Sequence, residues 1–493
     1  MANAMAADGS LNKWMPALAD LAWGAAMIAT VSLYYAIGSL ALSVALLALL
    51  TYLCWRRTGL AVSLVPLAIP YYSLPKHLHH GLDFSLGETV IVLCGVVVAL
   101  QLLLGWRDRP PDTSLRRYLL PDTPFLWPAT AFLAAATLAL LAAQFHKVAL
   151  REYREVVLEP MLFYWLVLQT ARGLGGAARL LLSLIGSAVV VSGMALVEIA
   201  FRPHDLVVAA NEGGAPKRLV QAVFQDQNSL ALLIDHALPI ALALALLPAW
   251  ARVWTRGRQG AQAAPEIQAG LLAAAALLLY VLYRTGSRGG ELTATLCMGF
   301  LFVYWQRRRP WVIGTCAVIA VLAALVERHK LQDFASSGHG LSNLAHTSIW
   351  RSALNMIRDH PIVGVGPDNF LYYYSNDSTC APGHVAHWYY VQAGSNFERC
   401  INHPHNLFLD FWLSTGVVGL AAAMWLIVLF AILGVRGWLA APDEWRGPLL
   451  AALLVMAAMV VHGEVDNSYF LPDLSVIFWL CLGVVTLWER RTA

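Results

Sequence analysis

The feature that most limits how this chain can fold is a succession of apolar blocks, each roughly 17–25 residues long, separated by short polar stretches; that is the length needed to cross a bilayer core as a helix. Val90–Trp106, Leu180–Ala200, Ser229–Trp250 and Thr415–Gly434 are examples. These blocks are apolar all round, whereas a helix on the surface of a water-soluble core keeps one polar face. Composition agrees: 59% of the 493 residues are hydrophobic and 13% charged, against about 25% charged in soluble domains. A soluble globular protein is excluded. The first block follows a polar leader holding Asp8 and Lys13, which does not read as a cleavable signal peptide.

The net charge of +3 says less than its placement. Arginines gather at alternate ends of the blocks: Arg56–Arg57, Arg107 to Arg117, Arg172 and Arg179, Arg252 to Arg258, Arg307–Arg309, Arg436 and Arg446, Arg490–Arg491. Short basic loops stay in the cytoplasm, so both termini are expected there and the number of spans is even. Dispersed, membrane-flanking arginines do not suit a nucleic-acid partner. The expected fold is an all-α integral membrane protein, a polytopic helical bundle of about 12 (12–14) transmembrane helices with a large, partly helical periplasmic loop. Ala17–Trp55 reads as a hairpin of two helices. Leu60–Pro75, with Pro66, Pro70 and Pro75, reads as a short or broken one. Further spans centre near residues 97, 134, 166, 190, 240, 275, 297, 318, 425, 455 and 479. The division expected is residues 1–326 as an N-terminal transmembrane bundle, 327–405 as a periplasmic loop domain, and 406–493 as C-terminal transmembrane helices.

Glu327–His405 breaks the pattern, being polar and lying, by the alternation of basic loops, away from the cytoplasm. It holds Cys380 and Cys400, while the other cysteines sit in or beside apolar blocks. In an oxidising compartment this pair suggests a disulfide. His384, His387, His403 and His405 leave a metal site as the competing reading, although their spacings match no standard zinc pattern. The same side carries Arg218 and, within Thr285-Gly286-Ser287-Arg288-Gly289-Gly290, Arg288. Arginine there runs against the positive-inside bias. Snorkelling, or pairing with a carboxylate such as Glu291, is the plain explanation. The sharper one is anion binding, with forked guanidinium donors on phosphate and glycines that let a head group approach.

Within the loop, Ile349, Ala353, Met356 and Ile357 have helical spacing, and His360-Pro361 ends that helix. Gly364 and Gly366 make a turn. His403-Pro404-His405-Asn406 then leads into an apolar helix. A histidine at such a start faces the positive dipole end, which favours the neutral imidazole a general base needs; helix capping is the competing role. His403 is the alternative base.

Together these stretches resemble the O-antigen ligase and polymerase superfamily, glycosyltransferases acting on undecaprenyl-diphosphate-linked glycans. The matching parts are Arg218…Phe224…Asn228, Ser287-Arg288-Gly289, Trp350 through Asp359-His360-Pro361-Ile362-Val363-Gly364-Val365-Gly366, and His405-Asn406-x9-Gly416-x2-Gly419. The family often has an arginine shortly before the loop tryptophan. His346 lies in that region here and Arg351 follows Trp350, so that arginine's role is not assigned to Arg351. The resemblance implies a GT-C-like, metal-independent, inverting transferase with no cofactor. Arg218 and Arg288 would hold the diphosphate, and His405 would deprotonate the acceptor hydroxyl. Asn406, His403 and Asp466 would join the substrate site, Asp466 as partner of a basic residue or simply as an interfacial cap. The implied partners are an undecaprenyl-diphosphate-linked glycan donor, a lipid A–core acceptor and the bilayer of a Gram-negative inner membrane. O-antigen ligase is the leading reading because the exported loop Phe201–Phe224 is only moderate in size; polymerase is the alternative. A transporter is the reading from another class, and Asp235 and His236 are the polar residues that fall well inside a span.

Overall fold

The computed structural model describes residues 2–72, 74–78, 82–105, 120, 122–204, 206–209, 217–224, 226–253, 265–312, 314, 315, 317, 318, 340–389, 400–471 and 474–492. The chain is an all-α polytopic membrane protein. Its helices are α1 (Ala2–Ala36), α2 (Leu40–Arg56), α3 (Thr58–Leu64), α4 (Leu86–Gly105), α5 (Leu126–Ala142), α6 (His146–Glu152), α7 (Glu159–Thr170), α8 (Gly173–Phe201), α9 (Gln227–Leu246), α10 (Pro265–Thr285), α11 (Arg288–Gln306), α12 (Gly340–Asp359), α13 (Phe370–Tyr374), α14 (Leu407–Ala440), α15 (Asp443–His462) and α16 (Leu474–Thr492). Two small antiparallel hairpins accompany them: β1 (Lys76–Leu78) with β2 (Leu82–Phe84), and β3 (Val207–Ala209) with β4 (Lys217–Leu219).

By length and composition α4, α8, α9, α10, α14 and α15 can each cross a membrane, and α5 is a shorter apolar helix. The proline-rich segment is short: α3 tightens into a 3-10 turn over Val65–Tyr71, where Pro66 and Pro70 stand, and the piece meets α2 at 113° at Arg57, ahead of the prolines. Every expected span centre falls on a helix; of the one near residue 318, much of the surrounding stretch lies outside the described residues. The span of α9 is 89% buried and that of α15 72%, against 28% for α10 and 33% for α14. Helices α9 and α15, with α16, whose apolar residues from Leu474 to Trp488 are buried, form the inside of the bundle, while α4 and α14 turn leucine and valine outward to lipid.

The polar loop is not a separate body resting on this bundle. Ile349, Ala353, Met356 and Ile357 on one face of α12 pack with Val365, Phe370, Tyr373, Tyr374 and Leu413, so loop and membrane helix share one apolar cluster. Below it, α14 is interrupted at Gly416, whose φ of 73° and ψ of 178° are not helical. The break frees backbone groups, and the Pro361–Gly366 turn takes them. The amides of Val365 and Gly366 donate to the Leu413 carbonyl at 2.8 and 3.1 Å, and the Val417 amide donates to the Ile362 carbonyl at 3.1 Å. A side chain at Gly416 would overlap the Ile362 carbonyl, and one at Gly364 would overlap that of Leu413. Only glycine suits either position. Gly416→Ala is expected to destabilise the fold by on the order of 3 kcal/mol, combining backbone strain with the overlap. Thermal unfolding in detergent checks this, and a variant that melts like the native chain would refute the clasp.

Candidate functional site

The turn Gly463–Asn467 after α15, the segment before α14 and the face of α12 meet at the loop end of the bundle. His405 is at their centre. Its backbone is left-handed, with φ 48°, a conformation that costs about 1–3 kcal/mol and concentrates at functional sites. Neighbours on both sides hold it there. Its Nδ1 donates to Asp466 Oδ1 at 3.1 Å, and its carbonyl accepts from Trp350 Nε1 on α12 at 3.4 Å. The Asp466 side chain is 13% exposed and that of His405 35%. Burial raises the Asp466 carboxyl, but the bond and charge of His405, the charge of His462 and the Asn467 amide outweigh it. The carboxyl stays below its ordinary range. An ionised Asp466 accepting from Nδ1–H leaves the lone pair on Nε2, which is the arrangement of an oriented general base. The orienting force is this carboxylate rather than the helix dipole, since His405 stands one residue before the N-cap of α14.

Asn406 is that cap. Its side-chain oxygen accepts from the amides of Phe408 and Leu409, each at 3.1 Å, and its Nδ2 donates to the Glu464 carbonyl and carboxylate, each at 3.2 Å. Its hydrogen-bonding groups, expected on substrate, are engaged in joining α14 to the Gly463–Asn467 turn.

His403 also departs from its expected role as the alternative base. Its Nδ1 donates to the buried Asp410 carboxylate at 2.9 Å, with Glu152 and Asp368 adding negative charge around it. Burial opposes protonation, but Asp410 and these two carboxylates prevail, and His403 is pushed up to about 10. It is a cation at neutral pH and cannot accept a proton. The stabilisation it brings is complete below its ordinary value near 6.5 and is lost as pH rises through about 10. We expect the melting temperature to decline across that window, and the decline to vanish in His403→Gln. An unchanged profile in the variant would mean the pair contributes nothing.

Arg288 is the first residue of α11, and Ser287 caps that helix by accepting from the Gly290 amide at 3.4 Å. The contact that brings it to the site is made by its neighbour: a methyl group on Gly289 would lie 2.5 Å from His462 Nε2 and 3.3 Å from Val465 Cγ2. Arg218 lies on β4, exposed, and donates to the Pro203 carbonyl at 3.1 Å. The Val220 amide meets the Arg284 carbonyl at 3.4 Å, tying this strand to the last turn of α10, which leads into α11. Both arginines thus stand at the loop end, Arg288 beside the His405–Asp466 turn and Arg218 further out.

Cys380 and Cys400 are joined as a disulfide, so neither thiol is available to the metal site weighed as the alternative. His346 on α12 is a site residue whose role the sequence does not announce. Its Nε2 donates to the Val465 carbonyl at 3.2 Å, and its ring centroid is 5.8 Å from that of His405. Burial, then the neighbouring His405, lower its pKa against the pull of Asp466, which keeps it neutral. Its one signal in the sequence is its place shortly before Trp350, where the resembled family often has an arginine; the contact with His405 is made by the fold.

Compared with known families, residues 273–424 match a family described as O-antigen ligase. Over this segment the chain is similar to the O-antigen ligase family. The ligase-family segment runs from α10 into α14 and carries Arg288, His346, Trp350, His403, His405 and both halves of the glycine clasp. Arg218 and Asp466 lie outside it, and the fold returns Asp466 to the ligase segment's own histidine. No curated protein matches the chain.

Proposed function

We propose that the chain is an O-antigen ligase: a metal-independent, inverting glycosyltransferase that moves a glycan from undecaprenyl diphosphate to lipid A–core oligosaccharide at the periplasmic face of a Gram-negative inner membrane. The observation that carries this is the carboxylate-oriented His405 standing beside the start of the Arg288 helix. A proton acceptor next to a guanidinium at a membrane surface suits a reaction between a hydroxyl and a lipid diphosphate. His405 Nε2 takes the proton as an acceptor hydroxyl attacks the anomeric carbon; the bond from that carbon to the phosphate oxygen breaks, and the diphosphate leaves on its lipid. Arg288, with Arg218, balances the charge that gathers on the departing oxygen. The alternation of basic loops supports cytoplasmic termini and a periplasmic site.

The test is reconstitution of the full chain in proteoliposomes with lipid-linked glycan, with or without lipid A–core. Glycosylated lipid A–core is the expected product. Lengthened lipid-linked chains would replace ligase by polymerase, and solute flux without any glycan would favour a transporter. Because a diphosphate is already a good leaving group and arginine can balance it, turnover is expected to persist in EDTA. Loss on chelation with rescue by magnesium or manganese would overturn the metal-free scheme.

A further inference from the structure

A hydrogen-bonded Asp–His pair buried along the axis of the bundle has no part in that scheme. His462, the last residue of α15, donates from Nδ1 to Asp235 Oδ2 on α9 at 2.6 Å, and the two side chains are 1% and 0% exposed. Ionisable groups at membrane depth are costly to bury, and where they persist they serve a function. The surroundings of this pair indicate which. Its outer edge is covered by the first turn of α11: a methyl group on Gly289 would lie 2.5 Å from His462 Nε2 and 2.7 Å from Cδ2, and one on Gly290 would lie 3.3 Å from Asp235 Oδ2. The glycines after Arg288 are what let the helix start settle on the imidazole. The backbone of the same histidine holds the other half of the site, because its carbonyl accepts from the amides of Val465 and Asp466, both at 3.0 Å.

One residue therefore touches the arginine helix with its ring and the base's carboxylate turn with its carbonyl. We propose that the Asp235–His462 pair is the positioning device that sets Arg288 in register with the His405–Asp466 dyad; this rests on the diphosphate and base roles proposed above. An apolar side chain of equal volume would fill the space but leave the orientation of the surface under Gly289 free. The hydrogen bond to Asp235 fixes the plane of the ring, and the ring fixes the height of the arginine. A displacement of about 1 Å between reacting groups can cost on the order of 10²-fold in rate.

The experiment uses the reconstituted full chain and measures kcat and donor KM per folded molecule. Gly289→Ala is expected to lower kcat by about 10²-fold, and Asp235→Asn, which keeps shape and an acceptor oxygen but removes the charge, by about 10-fold, with donor KM changed less than about threefold in both. Adding His462→Ser to Gly289→Ala makes room for the methyl group and should not restore turnover, because the ring is gone. Restoration would show that only packing matters and would overturn the proposal, as would unchanged kcat in Asp235→Asn, which decides alone if Gly289→Ala fails to fold. Arg288→Lys and His405→Ala are the reference variants. If both turn over normally, the reading of the site fails and this inference with it. If both are impaired while Asp235→Asn and Gly289→Ala match the native enzyme, only the positioning inference fails.

Discussion

His405→Ala is expected to lower glycan transfer by on the order of 10²–10⁴-fold, the range that a positioned general base contributes, while lipid-linked donor still binds. The separation follows from the geometry. In the proposed scheme the acceptor proton goes to Nε2, whereas the diphosphate is assigned to guanidinium groups that the substitution leaves in place. Asp466→Asn should come close to the same loss with His405 intact. An amide cannot accept as an ionised carboxylate does from Nδ1–H at 3.1 Å, and it no longer selects the tautomer that leaves Nε2 unprotonated. Turnover and donor binding measured on both variants decide the matter: near-native transfer by His405→Ala would place the base elsewhere. His403→Ala should act differently, through stability, because that imidazole is already protonated against Asp410.

The second large effect is expected at the arginines. Lysine keeps the charge but loses the planar fork that meets two phosphate oxygens at once. Arg288→Lys should slow transfer by roughly 10²–10³-fold, the scale of losing one aligned donor to a developing oxyanion, with folding and insertion unchanged. Arg218→Lys should impair transfer less, since Arg218 lies outside the immediate surroundings of His405 and leans on the Pro203 carbonyl. Equal, near-native turnover in both lysine variants would return the arginines to snorkelling.

Much of this architecture is legible from the residue order because it follows from periodicity and local chemistry. Apolar blocks of membrane-crossing length become helices, Pro66 and Pro70 stand where a short helix tightens into a 3-10 turn, and the spacing of Ile349, Ala353, Met356 and Ile357 places all four in one cluster. Two cysteines in the same polar loop pair with each other. Asn406 could have been read more fully, since asparagine ahead of an apolar run is a helix-cap signal. Other features depend on distance in the chain rather than pattern. Nothing local indicates that His403 will meet Asp410 and carry a charge, or that Asp235 will find His462 far along the chain. His346 becomes part of the site only because α12 is laid against the turn after α15.

The glycine clasp between the Pro361–Gly366 turn and Gly416 has a consequence for inheritance. Each partner supplies the backbone donors and acceptors that the other lacks, so the loop and the membrane helix beneath it are two parts of one hydrogen-bonded unit. A chimera that takes residues 340–405 from a relative and keeps the resident α14 would be folded only if the incoming turn met the resident break in the same register. The loop could not then be exchanged alone. The transferable unit extends past Gly416, and the segment matched to the ligase family, which ends at residue 424, contains both halves of the clasp.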